Sequence, residues 1–310
     1  MDEPVASRVS WGSTLAVASA YAACYEITLY FSFSHWLLPA GLRLACLLLV
    51  PRRFWLALAL GESLPAAEHA LTHLHQFGLG WTLSAGTPII ILCMPIVAVV
   101  QRRHTLFQPL GEFDIGRILA LTAACAGVTV GLNYLGLTAA LNAAPGKWPE
   151  INVTTFSFAY FLGAYMGALA LTPALLALKE SFPGHTPVDL AALARHPLVR
   201  DIVLIVLPML VAMVCIAPQL DGWQLFACRL LTLVPVVMLT LRRGWHGAAL
   251  SGLMASIALA ETSNETLDVP VIQVQIVLAV VLSGALWIGV PIHRRIQRKR
   301  QCAARLLPLA

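Results

Sequence analysis

Two ionisable residues stand where apolar side chains otherwise dominate. In "WLLPAGLRLACLLLVPRRFWLALALGES", residues 36–63, Arg43 interrupts one apolar run and Glu62 the next. A guanidinium and a carboxylate can join through paired charge-assisted hydrogen bonds, which neutralises both. The spacing lets them meet. Arg43 lies nine residues before Arg52, and Glu62 nine residues after Arg53. In an antiparallel helical hairpin that turns at Pro51-Arg52-Arg53, equal offsets give equal depth, roughly 13 Å from the turn at about 1.5 Å per residue. Two readings stay open. Such a pair can hold the hairpin in register, or it can line a polar cavity that receives a ligand.

Other residues invite the same question. Arg229 and Glu26 sit at similar depths in their own apolar runs and form a second candidate pair, although Arg229 can also snorkel outward. In "EHALTHLHQ", His69 and His73 are four apart and share a helix face, with Glu68 and His75 beside them. Two imidazoles and the Glu68 carboxylate are donors that suit Zn or Cu, although a histidine-rich loop is the commoner origin of such a run. Gly163-x-x-x-Gly167 and Gly127-x-x-x-Gly131 have the spacing that lets two helices approach closely. The seven cysteines show no C-x-x-C spacing and are expected as buried free thiols. No P-loop, dinucleotide fingerprint, H-E-x-x-H or G-x-S-x-G is present, so no catalytic group and no cofactor is expected.

These residues need elements that can hold them. Apolar residues make up 59% of the 310-residue chain and charged residues 11%, and mean hydropathy is +0.79. A soluble domain of this length needs more charged surface, whereas runs of about 20 apolar residues match a bilayer core. The expected fold is an all-α polytopic transmembrane helical bundle of about ten spans. They fall near residues 12–33, 36–50, 54–71, 82–100, 116–140, 155–178, 200–217, 224–241, 244–260 and 270–292. Prolines 88, 95, 173, 208 and 235 are expected to kink them.

Basic residues orient the bundle. With the N-terminus in the cytoplasm, every Lys and Arg except Lys147, Arg43 and Arg229 falls on the inner side, as the positive-inside rule requires. Both termini are then cytoplasmic. The loop "KESFPGHTPVDLAALARHP" is long enough for a short surface helix but not for a domain. The outer sequons at Asn152 and Asn264 carry no weight, because chance matches to so short a pattern are common. The net charge of +5 is spread in short pairs, which does not suit nucleic acid.

Three stretches carry a family likeness: "LLPAGLRLACLLLVPRRFWLALALGE", "FAYFLGAYMGALALTPALLAL" and "LVPVVMLTLRRGWHGAALSGLMASIALA". In this order they resemble the membrane-associated sensor domain family, type one (MASE), and within it the membrane part of hexose-phosphate sensor histidine kinases. The resemblance implies a sensory module of the bacterial inner membrane, of the kind that precedes kinase, diguanylate-cyclase or phosphodiesterase domains. It also implies a partner: a separate kinase or regulator, a transporter-like membrane receptor, or a second copy of the chain. Here residues 1–292 would form the sensory domain and residues 293–310 a short basic tail, with no output domain and no enzymatic activity of its own. A small-solute transporter is the alternative, since kinked spans with mid-membrane charges also suit transport.

Overall fold

The computed structural model describes residues 10–32, 36–103, 114–144, 148, 151–181, 196–263 and 269–306. Among these residues the fold is all-helical. The expected surface helix within 182–195 and the sequon at Asn264 lie outside the described residues.

Among the described residues, twelve helices follow one another. They are α1 (Trp11–Tyr30), α2 (Leu38–Leu49), α3 (Trp55–Thr72), α4 (Leu74–Ala85), α5 (Ile89–Arg103), α6 (Ile115–Ala143) and α7 (Val153–Ser181), then α8 (Pro197–Gln219), α9 (Gly222–Leu230), α10 (Leu233–Arg243), α11 (Trp245–Glu261) and α12 (Val269–Leu306). Among the described residues, six stretches are long and apolar enough to cross a membrane: 74–103, 115–143, 153–181, 197–219, 222–243 and 269–299. The remaining four expected spans, at α1, α2, α3 and α11, are helical but do not combine that length with that apolarity. Small and polar residues lower their hydropathy, and α2 is only 12 residues long.

Local chemistry sets several of the boundaries. The Ser10 hydroxyl accepts from the Ser13 N–H at 3.2 Å and starts α1, and the Asp114 carboxylate accepts from the Arg117 N–H at 3.1 Å and starts α6. Pro39 opens α2, where its missing N–H costs nothing, and Pro51 holds Val50 in an extended conformation that ends it. Proline also marks the breaks. Pro88 separates α4 from α5, Pro235 follows the interruption between α9 and α10, and Pro208 follows a π-helical turn at Ile202–Val206 that widens α8. Pro95 and Pro173 lie within helices.

At the centre, α2 and α7 run parallel and nearly touch. The Leu37 N–H donates to the Gly163 carbonyl at 3.0 Å, and the Thr172 hydroxyl donates to the Gly41 carbonyl at 3.0 Å. A methyl group on Gly167 would collide with the Leu37 carbonyl, and one on Gly41 with the Gly167 carbonyl. The Gly163 and Gly167 spacing therefore serves close packing. The Gly127 and Gly131 spacing does not: both residues are exposed, and a Cβ at either meets nothing within 4 Å. On α6 the close contact is made instead by Gly136, which packs on Ser84. Gly127→Ala and Gly131→Ala should leave the folded yield and thermal midpoint in detergent within experimental error of the parent. A clear loss in either would place a packed neighbour on that face.

The outward surface is apolar. Leu56, Leu60 and Leu64 form an exposed stripe on α3, and Leu204, Val280 and Ile288 are similarly bare. Exposed apolar area of this extent is stable only against lipid or another apolar surface. Cys93, Cys125 and Cys228 are buried and Cys46 is partly so, but Cys24, Cys215 and Cys302 are exposed, so the expectation of buried thiols holds for only part of the set. All seven are free.

Candidate functional site

Arg43 and Glu62 meet. The hairpin turns at a single 3₁₀ turn, Arg52–Phe54, and this short connection preserves the equal offsets. Arg43 Nε lies 3.2 and 3.1 Å from Glu62 Oε1 and Oε2, and Arg43 Nη2 lies 3.0 Å from Oε1. Side-chain exposure is 3% for Arg43 and 1% for Glu62, so water screens neither charge.

Two further donors close on the same carboxylate. The Tyr21 hydroxyl donates to Oε2 at 2.9 Å, and the Ile90 backbone N–H donates to Oε1 at 3.2 Å. Tyr21 arrives because α1 packs directly on α3. A methyl group on Gly61 would collide with the Ala18 carbonyl, so glycine at that position is what admits the helix. Ile90 is available because the chain breaks at Pro88 and restarts as α5, whose first turn presents N–H groups with no helical acceptor. A helix N-terminus also favours an anion. Glu62 therefore has a cation, a hydroxyl and a helix end around it, which is what a buried carboxylate needs to remain charged. Tyr21, Gly61 and the Pro88 break were not identified from sequence as part of this site, although Pro88 was expected to kink its span.

The pair also lines a cavity of about 270 Å³. Tyr25, Thr129, Asn133 and Tyr160 add polar groups to its wall, and Trp81 and His69 lie towards the end where α3 meets α4. Arg43 uses Nε and Nη2 on Glu62, so some of its five N–H donors remain for other partners.

The second expected pair does not form. Arg229 is buried and donates through Nε to the Thr262 hydroxyl at 3.1 Å and through Nη2 to the Thr262 carbonyl at 2.6 Å. Thr262 is the residue after the last turn of α11, so the guanidinium caps a helix C-terminus, where backbone carbonyls are unsatisfied and positive charge is favoured. Glu26 is exposed on α1, far along the chain from any contact with that cap. Depth alone suggested the pairing, and depth does not say which helices touch.

The Glu68, His69 and His73 set does not gather either. The His69 and His73 rings lie 4.6 Å apart between centroids, as their spacing implies. His73 Nδ1 sits 2.9 Å from the His69 carbonyl, and Glu68 is exposed. Among the described residues, the group of three donors able to share one metal ion is a different one, Glu180, His246 and His293.

The family model of the MASE1 membrane-associated sensor domain matches residues 9–295, nearly the whole chain. The chain belongs to the MASE1 family. With its six membrane-capable helices, this MASE1 chain is a multi-pass membrane protein built as a sensor domain. No curated protein and no solved structure matches it.

Proposed function

We propose that this MASE1 protein is the sensory module of a bacterial inner-membrane signalling system, with both termini in the cytoplasm, and that its ligand occupies the cavity beside Arg43 and Glu62. One observation carries the reading: a buried, hydrogen-bonded ion pair forms part of a cavity wall instead of being sealed in apolar packing. A purely structural pair has no need of a void beside it, since voids forfeit packing energy. At about 270 Å³ the space suits a small polar metabolite, at the low end of ligand-site volumes. Arg43 can offer hydrogen bonds to an anionic or hydroxylated group, and Asn133, Thr129 and Tyr160 can orient it. Each of the helices α1 to α7 contributes to the site, so occupancy can shift their packing. The route outward is α12, which continues well past the bundle as one helix. Its output would reach a kinase, a cyclase or a transporter-like receptor at that end.

The test is a graft of a diguanylate-cyclase domain after Lys299, with cyclic-dinucleotide output read in cells. Asn133→Leu fills the cavity from α6 and should lock the output at one level across growth media, with membrane insertion unchanged. Vesicles holding the unmodified chain should accumulate none of a panel of labelled sugars, sugar phosphates and organic acids. Output that ignores the cavity variant would remove the sensory reading, and uptake into the vesicles would replace it with transport.

A further inference from the structure

The basic end of the bundle holds a second polar cluster, unconnected with the Arg43 site. Glu180 lies in the last turn of α7, His246 is the second residue of α11, and His293 lies on α12 where that helix leaves the bundle. One ligand-capable atom from each lies within 4.8 Å of the other two. The residues share the wall of a cavity of about 270 Å³ with His196, Arg243 and Gln297.

Glycines make the gathering possible. Gly244 has φ of +69°, a conformation that a side chain would strain, and it turns the chain sharply from α10 into α11. A Cβ at Gly244 would sit 2.7 Å from the His293 Cβ, so α11 and α12 touch only because none is present. The His246 and His293 rings consequently lie 4.4 Å apart between centroids.

The contacts within the cluster are incomplete as hydrogen bonds. Glu180 Oε2 and His246 Nε2 are 3.4 Å apart, yet Glu180 Oε2 is buried with no hydrogen-bond partner, and so is His246 Nδ1. Buried polar atoms are rarely left in that state. A separation of 3.4 Å has another meaning. Two ligands each about 2.0–2.2 Å from a tetrahedral zinc ion lie about 3.3–3.5 Å apart.

We propose that Glu180, His246 and His293 form a binding site for a divalent transition-metal ion, with Zn²⁺ the best-matched occupant. Two imidazoles and one carboxylate are zinc-type donors, and three protein ligands leave a fourth position open. The Gln297 side-chain amide lies 2.6 Å from His293 Nε2. With its carbonyl turned to that nitrogen it would hold the proton on Nε2 and leave the Nδ1 lone pair for the metal, the usual role of an outer partner. Arg243, the nearby cation, is neutralised by Asp201 at 2.7 Å and does not oppose a positive ion. A bound ion would tie α7, α11 and the exit helix α12 at one point.

The experiment uses the full chain, purified in detergent without a polyhistidine tag, stripped with chelator and titrated with Zn²⁺ or Co²⁺. Wild type should retain about one metal per chain after gel filtration, and Co²⁺ should give the visible bands of a tetrahedral site. Loss of an outer-shell partner typically costs 10- to 100-fold in affinity, so His293→Ala and Glu180→Gln should each lose at least that much. His293 is only half-buried, so His293→Ala remains informative if the buried His246→Ala fails to fold. His69→Ala/His73→Ala should bind as the parent does. No retained metal at about 10 µM, retention unchanged in His293→Ala, or loss in the His69/His73 variant would each overturn the assignment.

Discussion

Glu62→Leu should lower the yield of folded protein most, Arg43→Leu should lower it somewhat less, and the double variant should recover part of the loss but not all of it. Breaking one partner of a buried ion pair typically costs about 3–5 kcal/mol, because the other charge is left unpaired, whereas removing both partners is often near neutral. The surroundings of this pair modify that rule. With Arg43 gone, Glu62 still accepts from Tyr21 and from the Ile90 N–H, so the remaining carboxylate is partly compensated. With Glu62 gone, Arg43 is stranded, and the Tyr21 hydroxyl and the Ile90 N–H lose their acceptor as well. The double variant removes both charges yet keeps those two orphaned donors, each costing about 1–3 kcal/mol. Adding Tyr21→Phe to the double variant should therefore raise the yield again. Fluorescence-detected gel filtration and thermal midpoints in one detergent measure the series. Equal losses in both single variants and the double variant would mean that the two side chains do not support each other.

That pair was legible in the sequence because its geometry is local. The 3₁₀ turn at Arg52–Phe54 fixes the hairpin, and helical rise does the rest. The helical class and the positions of the apolar helices were legible for the same reason, since periodicity and hydropathy are properties of a short window. Four of the ten expected spans carry too many small or polar residues, or too few residues, to qualify by composition.

What sequence could not supply is which helices touch. Arg229 and Glu26 have matching depth, but Arg229 caps α11 through Thr262. Gly127 and Gly131 have the same spacing as Gly163 and Gly167, but among the described residues a Cβ at either meets nothing within 4 Å. Glu180, His246 and His293 come from three helices far apart in the chain, so no spacing announces them. The signals that existed were glycines. Gly61 stands beside Glu62 and admits α1 with Tyr21, and Gly244 stands two residues before His246 and admits α12 with His293. An isolated glycine next to an ionisable residue in an apolar run marks a place where backbone comes close, and here both such places gather polar side chains.

The same reasoning gives Gly167→Val the other large effect, and that effect should reach the candidate site. Inserting extra carbons into a packed core costs about 1–3 kcal/mol when side chains can rearrange. Here the first obstacle is the Leu37 backbone carbonyl, directly at the start of α2, and a carbonyl cannot rotate away as a side chain can. Leu37 also donates its N–H to Gly163, so α2 is held against α7 from both sides of the clash. Relief requires α2 to move bodily from α7. α2 carries Arg43 two residues after Gly41, whereas Glu62 is held by α1 and α5, which do not move with it. The displacement therefore stretches the ion pair and opens the cavity wall at Leu37, Pro39 and Ala40. Gly167→Ala should lower the folded yield several-fold, and Gly167→Val should nearly abolish it. In the Ala variant that does fold, Cys93, fully buried in the parent, should become reactive to maleimide in a background lacking Cys24, Cys215 and Cys302. A Gly167→Val protein with parental yield and an unreactive Cys93 would show that α2 and α7 do not depend on this contact.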